Sequence, residues 1–167
     1  MKWLRDIARI LGKANVGMMW TSPAGLPVVH EIREPKEVRI ASADRTLIIH
    51  EYDPNRKIDW RKQVNGIVAH LIHSLDAAHM MLTVNRLHSM GLRHFAMVHD
   101  SYGVHASDVD LLNRVLREEF VRIYSEPVMW NFFKDLWKNN PGVALPALPP
   151  PGTLDIRQVL DSPYFFA

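Results

Sequence analysis

The chain has 167 residues, 47% of them hydrophobic and 23% charged, with a formal net charge of +2 and no cysteine. That is about one domain with apolar residues enough for a core, and so mild a positive balance supplies no chain-wide attraction for nucleic acid, so any such surface has to be local. The lack of cysteine excludes disulfides and thiolate metal sites and fits a reducing compartment; no run approaches the ~20 apolar residues of a membrane span, and the N-terminal residues lack the order of a secretory signal. The expectation is a soluble intracellular protein with no membrane among its partners.

From the N-terminus, Trp3, Leu4, Ile7, Ile10 and Leu11 recur at three- and four-residue spacing, with Lys2, Arg5, Asp6 and Arg9 opposite. This predicts an amphipathic helix over residues 1–13. Gly12, Asn15 and Gly17 interrupt it, residues 16–20 read as a short strand entering a turn at Pro23-Ala24-Gly25, and 26–32 would return. Between 34 and 65, Val38, Ile40, Leu47, Ile48, Ile49 and Tyr52 alternate unevenly with Lys36, Arg39 and Arg45, just after Arg33. A long hairpin is predicted, with 41–45 near its tip. By itself it is a solvated ribbon whose charges guard against edge pairing.

From 66 to 90 the apolar positions favour helix, Gly91 is a stop, and Ser74 or Asp76 is available to cap a second helix after a break. His79 falls on the apolar face, where a histidine by itself reads as buried and hydrogen-bonded. The spacing of His70, His73 and His79 completes no recognisable zinc set.

Residues 95–98 form a short run rich in β-formers and predict a buried strand. The run stops at Asp100. Ser101, Tyr102 and Gly103 suit a tight turn before Val104 and His105 begin a return, which would put a carboxylate at a hairpin tip. A carboxylate held that rigidly suits a hard divalent cation such as magnesium. Turn aspartates also simply satisfy the local backbone, and the pattern alone leaves both readings open. Further on, Ser107-Asp108-Val109-Asp110 offers an N-cap with an acid three residues on, ahead of a helix through Tyr124. Asp108 and Asp110 there complement the helix dipole. Pro127 ends that helix, 129–137 is a short aromatic-rich helix, 141–151 a proline-rich strap in extended geometry, and the apolar end from Tyr164 to Ala167 should dock.

The run His99-Asp100-Ser101-Tyr102-Gly103 resembles the last palm motif of the single-subunit, bacteriophage-type RNA polymerases, which include the mitochondrial enzymes. Three further segments are similar to that family in the same order. Leu71-Ile72-His73-Ser74-Leu75-Asp76-Ala77-Ala78-His79 looks like its helix entry, and Thr21-Ser22-Pro23-Ala24-Gly25-Leu26-Pro27-Val28 like its earlier turn-rich segment. Leu145-Pro146-Ala147-Leu148-Pro149, Leu154-Asp155-Ile156-Arg157-Gln158-Val159-Leu160 and Phe165-Phe166-Ala167 look like its C-terminal foot.

The resemblance implies an α+β fold: a palm-type antiparallel β-hairpin packed with helices, an extended hairpin (the specificity loop) and a C-terminal foot. Its parts would be 1–32, adjoining palm and fingers; 33–65, the ribbon; 66–140, palm helices and catalytic hairpin; and 141–167, strap and foot. It implies Asp100 as a catalytic magnesium ligand, His99 orienting the turn with Ser101 as a donor behind it, and His79 against the minor groove of the template–product duplex. Arg39 and Arg45 would lie on the promoter-facing hairpin. The implied partners are DNA template and promoter, RNA product and nucleoside triphosphates. The family's other palm aspartate and its nucleotide-holding helix belong to sequence preceding this stretch, so a second polypeptide is expected, the chain being a split subunit or a truncated product. A cytoplasmic location, in the host if phage-encoded, follows, with a mitochondrial one left open. A non-catalytic DNA-binding or regulatory remnant is the alternative; a hydrolase built on Asp100 and Ser101 lacks a Gly-x-Ser-x-Gly elbow.

Overall fold

The computed structural model of the chain describes residues 1–41 and 44–165. Its elements run α1 (Lys2–Lys13), β1 (Met18–Thr21), β2 (Pro27–His30), β3 (Lys36–Ala41), β4 (Thr46–Glu51), α2 (Trp60–Ser89), β5 (Ala96–Val98), β6 (Ser101–Gly103), α3 (Val109–Ser125) and α4 (Val128–Asn139). Short 3-10 turns at Ala106–Asp108 and Ile156–Leu160 complete the path. The strands pair as three separate antiparallel hairpins, β1–β2, β3–β4 and β5–β6. Helices with small antiparallel sheets make this an α+β fold.

Helix α2 is the spine. Its 30 residues extend roughly 45 Å at about 1.5 Å per residue, and it serves two hydrophobic cores. Its first half contributes Val64, Ile67 and Leu71 to a core with Leu4, Ile7, Ala8 and Leu11 of α1, Met18 and Trp20 of β1, and Phe132 and Leu136 of α4. Its second half contributes Leu87 to a core with Leu112, Val115 and Leu116 of α3, against which Leu92, Phe95, Tyr102, Val104 and Phe165 pack. The strap at 141–151 has no helix or strand; Val143 and Leu145 lie on the first core, and Trp3 donates its indole N–H to the Pro146 carbonyl at 3.1 Å.

The break expected near Ser74 or Asp76 does not occur, and the helix starts six residues before 66. Asp59 caps it, its carboxylate accepting the Lys62 N–H at 3.1 Å. Ser74 is absorbed without a break because its hydroxyl donates to the Leu71 carbonyl at 2.7 Å and accepts from the Trp20 indole at 3.2 Å. The stop at Gly91 is as expected: with φ of +106°, Gly91 sends its N–H to His88 while Leu92 bonds Leu87, the paired closure of a left-handed C-terminus. Asn15, at φ +60°, ends α1 in the same way, with Asn15 N–H to Gly12 and Val16 N–H to Leu11.

Contrary to expectation, α2 is long and apolar enough to cross a membrane by length and composition, with an 18-residue stretch of mean hydropathy 1.3. Here it packs between α1 and α3 and buries the polar Gln63, His79 and Thr83. The capping box expected at Ser107 is also absent: a 3-10 turn takes residues Ala106–Asp108 and Asp108 caps α3 without a side-chain bond.

Candidate catalytic hairpin and nucleic-acid ribbon

Strands β5 and β6 are three residues each, in register Ala96↔Gly103, Met97↔Tyr102 and Val98↔Ser101. The turn is therefore His99-Asp100, and Ser101 to Gly103, expected as the turn, is the returning strand. His99 takes φ +53°, the left-handed conformation that tight hairpins demand at the first central position and that histidine tolerates better than most residues. The strand expected to be buried is instead half open. The Met97–Tyr102 pair faces inward, while Ala96 and Val98 are exposed, the latter at 65%. Three-residue strands have one packed face here and no layer above them among the described residues. Gly103 is needed for the pairing, since a Cβ there would lie 3.0 Å from the Ala96 carbonyl oxygen.

Asp100 stands exposed at this tip, and among the described residues its carboxylate has no hydrogen-bond or ion-pair partner. Beneath the hairpin the support is dense. Tyr102 donates its hydroxyl to Nδ1 of His79 (3.2 Å), and His79 Nε2 meets the Leu116 carbonyl at 2.9 Å. A carbonyl only accepts, so the proton sits on Nε2 and Nδ1 is the acceptor. Burial pushes the His79 pKa down, the Leu116 carbonyl, Glu119 and Asp76 pulling the other way. Burial, then the charges of Asp76 and Asp100, push the Tyr102 phenol up to about 12. Both shifts keep the two groups in the protonation states that this pair of bonds needs.

Aromatic rings complete the floor. The Phe120 ring lies 5.6 Å from His79, 4.5 Å from Tyr124 and 5.0 Å from Phe165. Arg117 holds the C-terminal segment there, donating to the Val159 carbonyl at 2.9 Å and to that of Ser162, with its guanidinium 5.6 Å from the Phe165 ring. Of the apolar end expected to dock, Phe165 does and Tyr164, 87% exposed, does not; Phe166 and Ala167 lie outside the described residues. Between α2 and α3, Arg86 pairs with Glu118 and, at 3.1 Å, with Glu119, which Arg122 also binds. Burial alone would raise the Glu119 carboxyl, but these two arginines outweigh it and hold it below the usual range.

The β3–β4 ribbon is built differently. Main-chain bonds tie its base, Glu34 N–H to Lys57 at 2.9 Å and Asp59 N–H to Ile32 at 2.8 Å. Beyond that base its register puts Val38, Ile40, Leu47 and Ile49 on one face and Glu37, Arg39, Thr46, Ile48 and His50 on the other. Ile40, Leu47, Ile48 and Ile49 are all exposed. Arg39 reaches outward, 3.9 Å from Glu37, and Arg45 is exposed just before β4. Ser42 and Ala43, in the expected tip, lie outside the described residues.

The predicted site residues thus divide. His99 and Asp100 share one turn, His79 supports the same hairpin from below, and Arg39 and Arg45 are on the separate ribbon. Among the described residues no three His, Asp or Glu side chains come together as a metal site, so Asp100 belongs to no three-ligand cluster there. Sequence reading missed Tyr102, taken as a turn residue, and the pair His30–His70, whose Nδ1 atoms are 2.9 Å apart. The alternation of a strand, with Tyr102 two residues after Asp100, was the one available signal for the former.

The chain matches the family model of the DNA-dependent RNA polymerases over residues 1–144. The chain belongs to the phage-type, single-subunit DNA-dependent RNA polymerase family. It is 40% identical to "DNA-directed RNA polymerase 1, mitochondrial" of Arabidopsis thaliana across 98% of this chain, and 40% identical to the mitochondrial polymerase 1 of Nicotiana sylvestris across 99%. The "DNA-directed RNA polymerase 3B, chloroplastic" of Nicotiana tabacum is 39% identical across 99% of the chain. The chain spans only 16% of the length of the first two relatives and 17% of the third. These relatives carry organellar names, which fits the mitochondrial alternative and lends no support to the cytoplasmic expectation.

Proposed function

We propose that these residues form the C-terminal part of the catalytic palm of a DNA-directed RNA polymerase and that Asp100 carries one of its metal-binding carboxylates. The observation that carries this reading is the unpartnered, outward carboxylate of Asp100 on a two-residue turn, set on a packed floor. In template-directed nucleotidyl transfer a 3′-hydroxyl attacks the α-phosphate of a nucleoside triphosphate and pyrophosphate leaves. Magnesium held by Asp100 would supply charge stabilisation to the attacking and leaving oxygens. An exposed oxygen ligand with no competing cation suits that ion. One carboxylate does not complete such a site, so a second acid has to come from polypeptide outside these 167 residues, on the same or another chain. His99 sets the turn and Ser101 begins the return strand behind it.

In the same reading the β3–β4 ribbon is the specificity hairpin. A two-stranded ribbon fits the major groove of promoter DNA, and Arg39 and Arg45 contact bases or phosphates there, with RNA product and nucleoside triphosphates as the other partners. His79 would reach the minor groove of the template–product duplex only by exchanging its Tyr102 partner for a base edge. Of the aromatic residues on and beside α4, Phe132 is buried, Trp3 and Phe133 are half-buried, and Trp130 and Trp137 are exposed.

The test is transcription from the complete polymerase containing this chain, with Asp100→Ala. Loss of nucleotide incorporation with promoter binding retained is expected. Incorporation that survives the substitution rejects the catalytic role and leaves the DNA-binding remnant, which needs the ribbon alone.

A further inference from the structure

We propose that the hydrogen-bonded line from Tyr102 through His79 to the Leu116 carbonyl is a positioning strut that holds the Asp100 turn at its working height above α2 and α3; this rests on the catalytic reading of Asp100. Three observations carry it. Tyr102 is in the strand that leaves the turn, two residues after Asp100, and its partner Met97 is the only other inward-facing side chain of the hairpin strands proper. Its hydroxyl meets His79 at 3.2 Å, and the other nitrogen of that ring, 4% exposed as a residue, is fixed on a helix backbone carbonyl at 2.9 Å. The strut therefore joins all three elements around the site: β6, the spine helix and α3.

A hairpin of six strand residues is marginal alone. Packing of Tyr102 and Met97 supplies attraction without direction, whereas a hydrogen bond through a buried ring restricts where the turn can sit. The aromatic neighbours are consistent with this: the His79 ring is edge-on to both Tyr102 and Phe120, with centroids at 6.0 and 5.6 Å, so it has little room to rotate. Charged and titratable groups face the pair from each packed element, namely Asp76 on α2, Glu119 on α3 and Asp100 on the hairpin. Tyr102 and His79 are positioning residues in this account, since neither has to touch the reacting atoms.

Tyr102→Phe removes one hydroxyl and leaves the packing. In the complete polymerase it should lower kcat about tenfold, the scale seen when a group supporting a metal ligand is lost, with the KM for nucleoside triphosphate nearly unchanged. The magnesium concentration for half-maximal rate should rise, and hydrogen exchange at the turn amides between 98 and 101 should quicken. His79→Gln, which keeps a donor and an acceptor, should retain more activity than His79→Leu, and that difference should vanish in a Tyr102→Phe background. Wild-type kcat, magnesium dependence and turn exchange in Tyr102→Phe overturn the strut. So does a gain in duplex binding at full activity, which would make Tyr102 merely a competitor for His79. Asp100→Asn in parallel separates the failures: if it transcribes normally the catalytic reading falls, and if it is dead while Tyr102→Phe is normal only the strut falls.

Discussion

The β5–β6 hairpin and the β3–β4 ribbon are both isolated two-stranded antiparallel units, yet they are supported in opposite ways. The shorter one, with three residues per strand, rests on Tyr102, His79, Phe120 and Phe165 and is fixed at its turn by the left-handed His99. The longer one, with six per strand, is tied, among the described residues, at its base and leaves four large aliphatics in the open. Strand length is thus a poor guide to rigidity. A catalytic carboxylate has to be held within fractions of an ångström, which asks for a packed floor. The proposed DNA-facing role of the ribbon makes no such demand on its position.

Ways to break that contrast begin with its largest effect. Asp100→Ala should reduce transcription by ~10³-fold or more, since metal charge stabilisation is worth several kcal/mol, measured as nucleotide incorporation by the complete polymerase. Leu116→Ala, in the core under the short hairpin, should cost about 2–5 kcal/mol in denaturant unfolding; the matching truncation on the ribbon, Ile48→Ala, should stay within about 0.5 kcal/mol because the residue is 49% exposed and belongs to no core cluster. Equal losses at the two positions would erase the distinction between a supported and an unsupported hairpin.

Acid should loosen the floor of the short hairpin, and His70, likewise depressed by burial, adds a loss at the first core on the same side. His79 has its pKa depressed in the fold, so the unfolded chain binds the extra proton more readily. Its contribution is complete above the free value near 6.5 and is lost as pH falls through the lower folded value. Glu119, also depressed, adds a second loss on the same side, beginning nearer its ordinary 4.5. Unfolding free energy followed from pH 7.5 to 4 should therefore decline, and His79→Gln should flatten the upper part of that decline. The smallest effect is electrostatic: Arg39→Ala or Arg45→Ala should each reduce the salt slope of promoter binding by about one unit while leaving stability unchanged.

Much of the fold is written in local pattern. The periodicity of α1, the Gly91 stop, the Pro127 boundary and the tip position of the β3–β4 ribbon follow from residue spacing and backbone preference, which act over a few neighbours. The errors arose where a distant partner intervened. Ser74 reads as a cap until Trp20, 54 residues away, claims its hydroxyl. The run at 95–98 reads as buried because apolar composition does not say whether a second layer will cover it.

The candidate site divides along the same line. Its proposed acid rests on the resemblance of His99-Asp100-Ser101-Tyr102-Gly103, a local motif, whereas turn chemistry alone puts the turn at Ser101–Gly103, which forms the return strand. Its support is not local, since His79, Tyr102 and Leu116 come from three elements and are 23 and 37 residues apart along the chain as bonded pairs. Which carboxylate is offered is a matter of residue order. How firmly it is held depends on long-range burial, because only the packed arrangement of α2 and α3 brings a carbonyl, a ring and a hydroxyl into line and keeps water from replacing them.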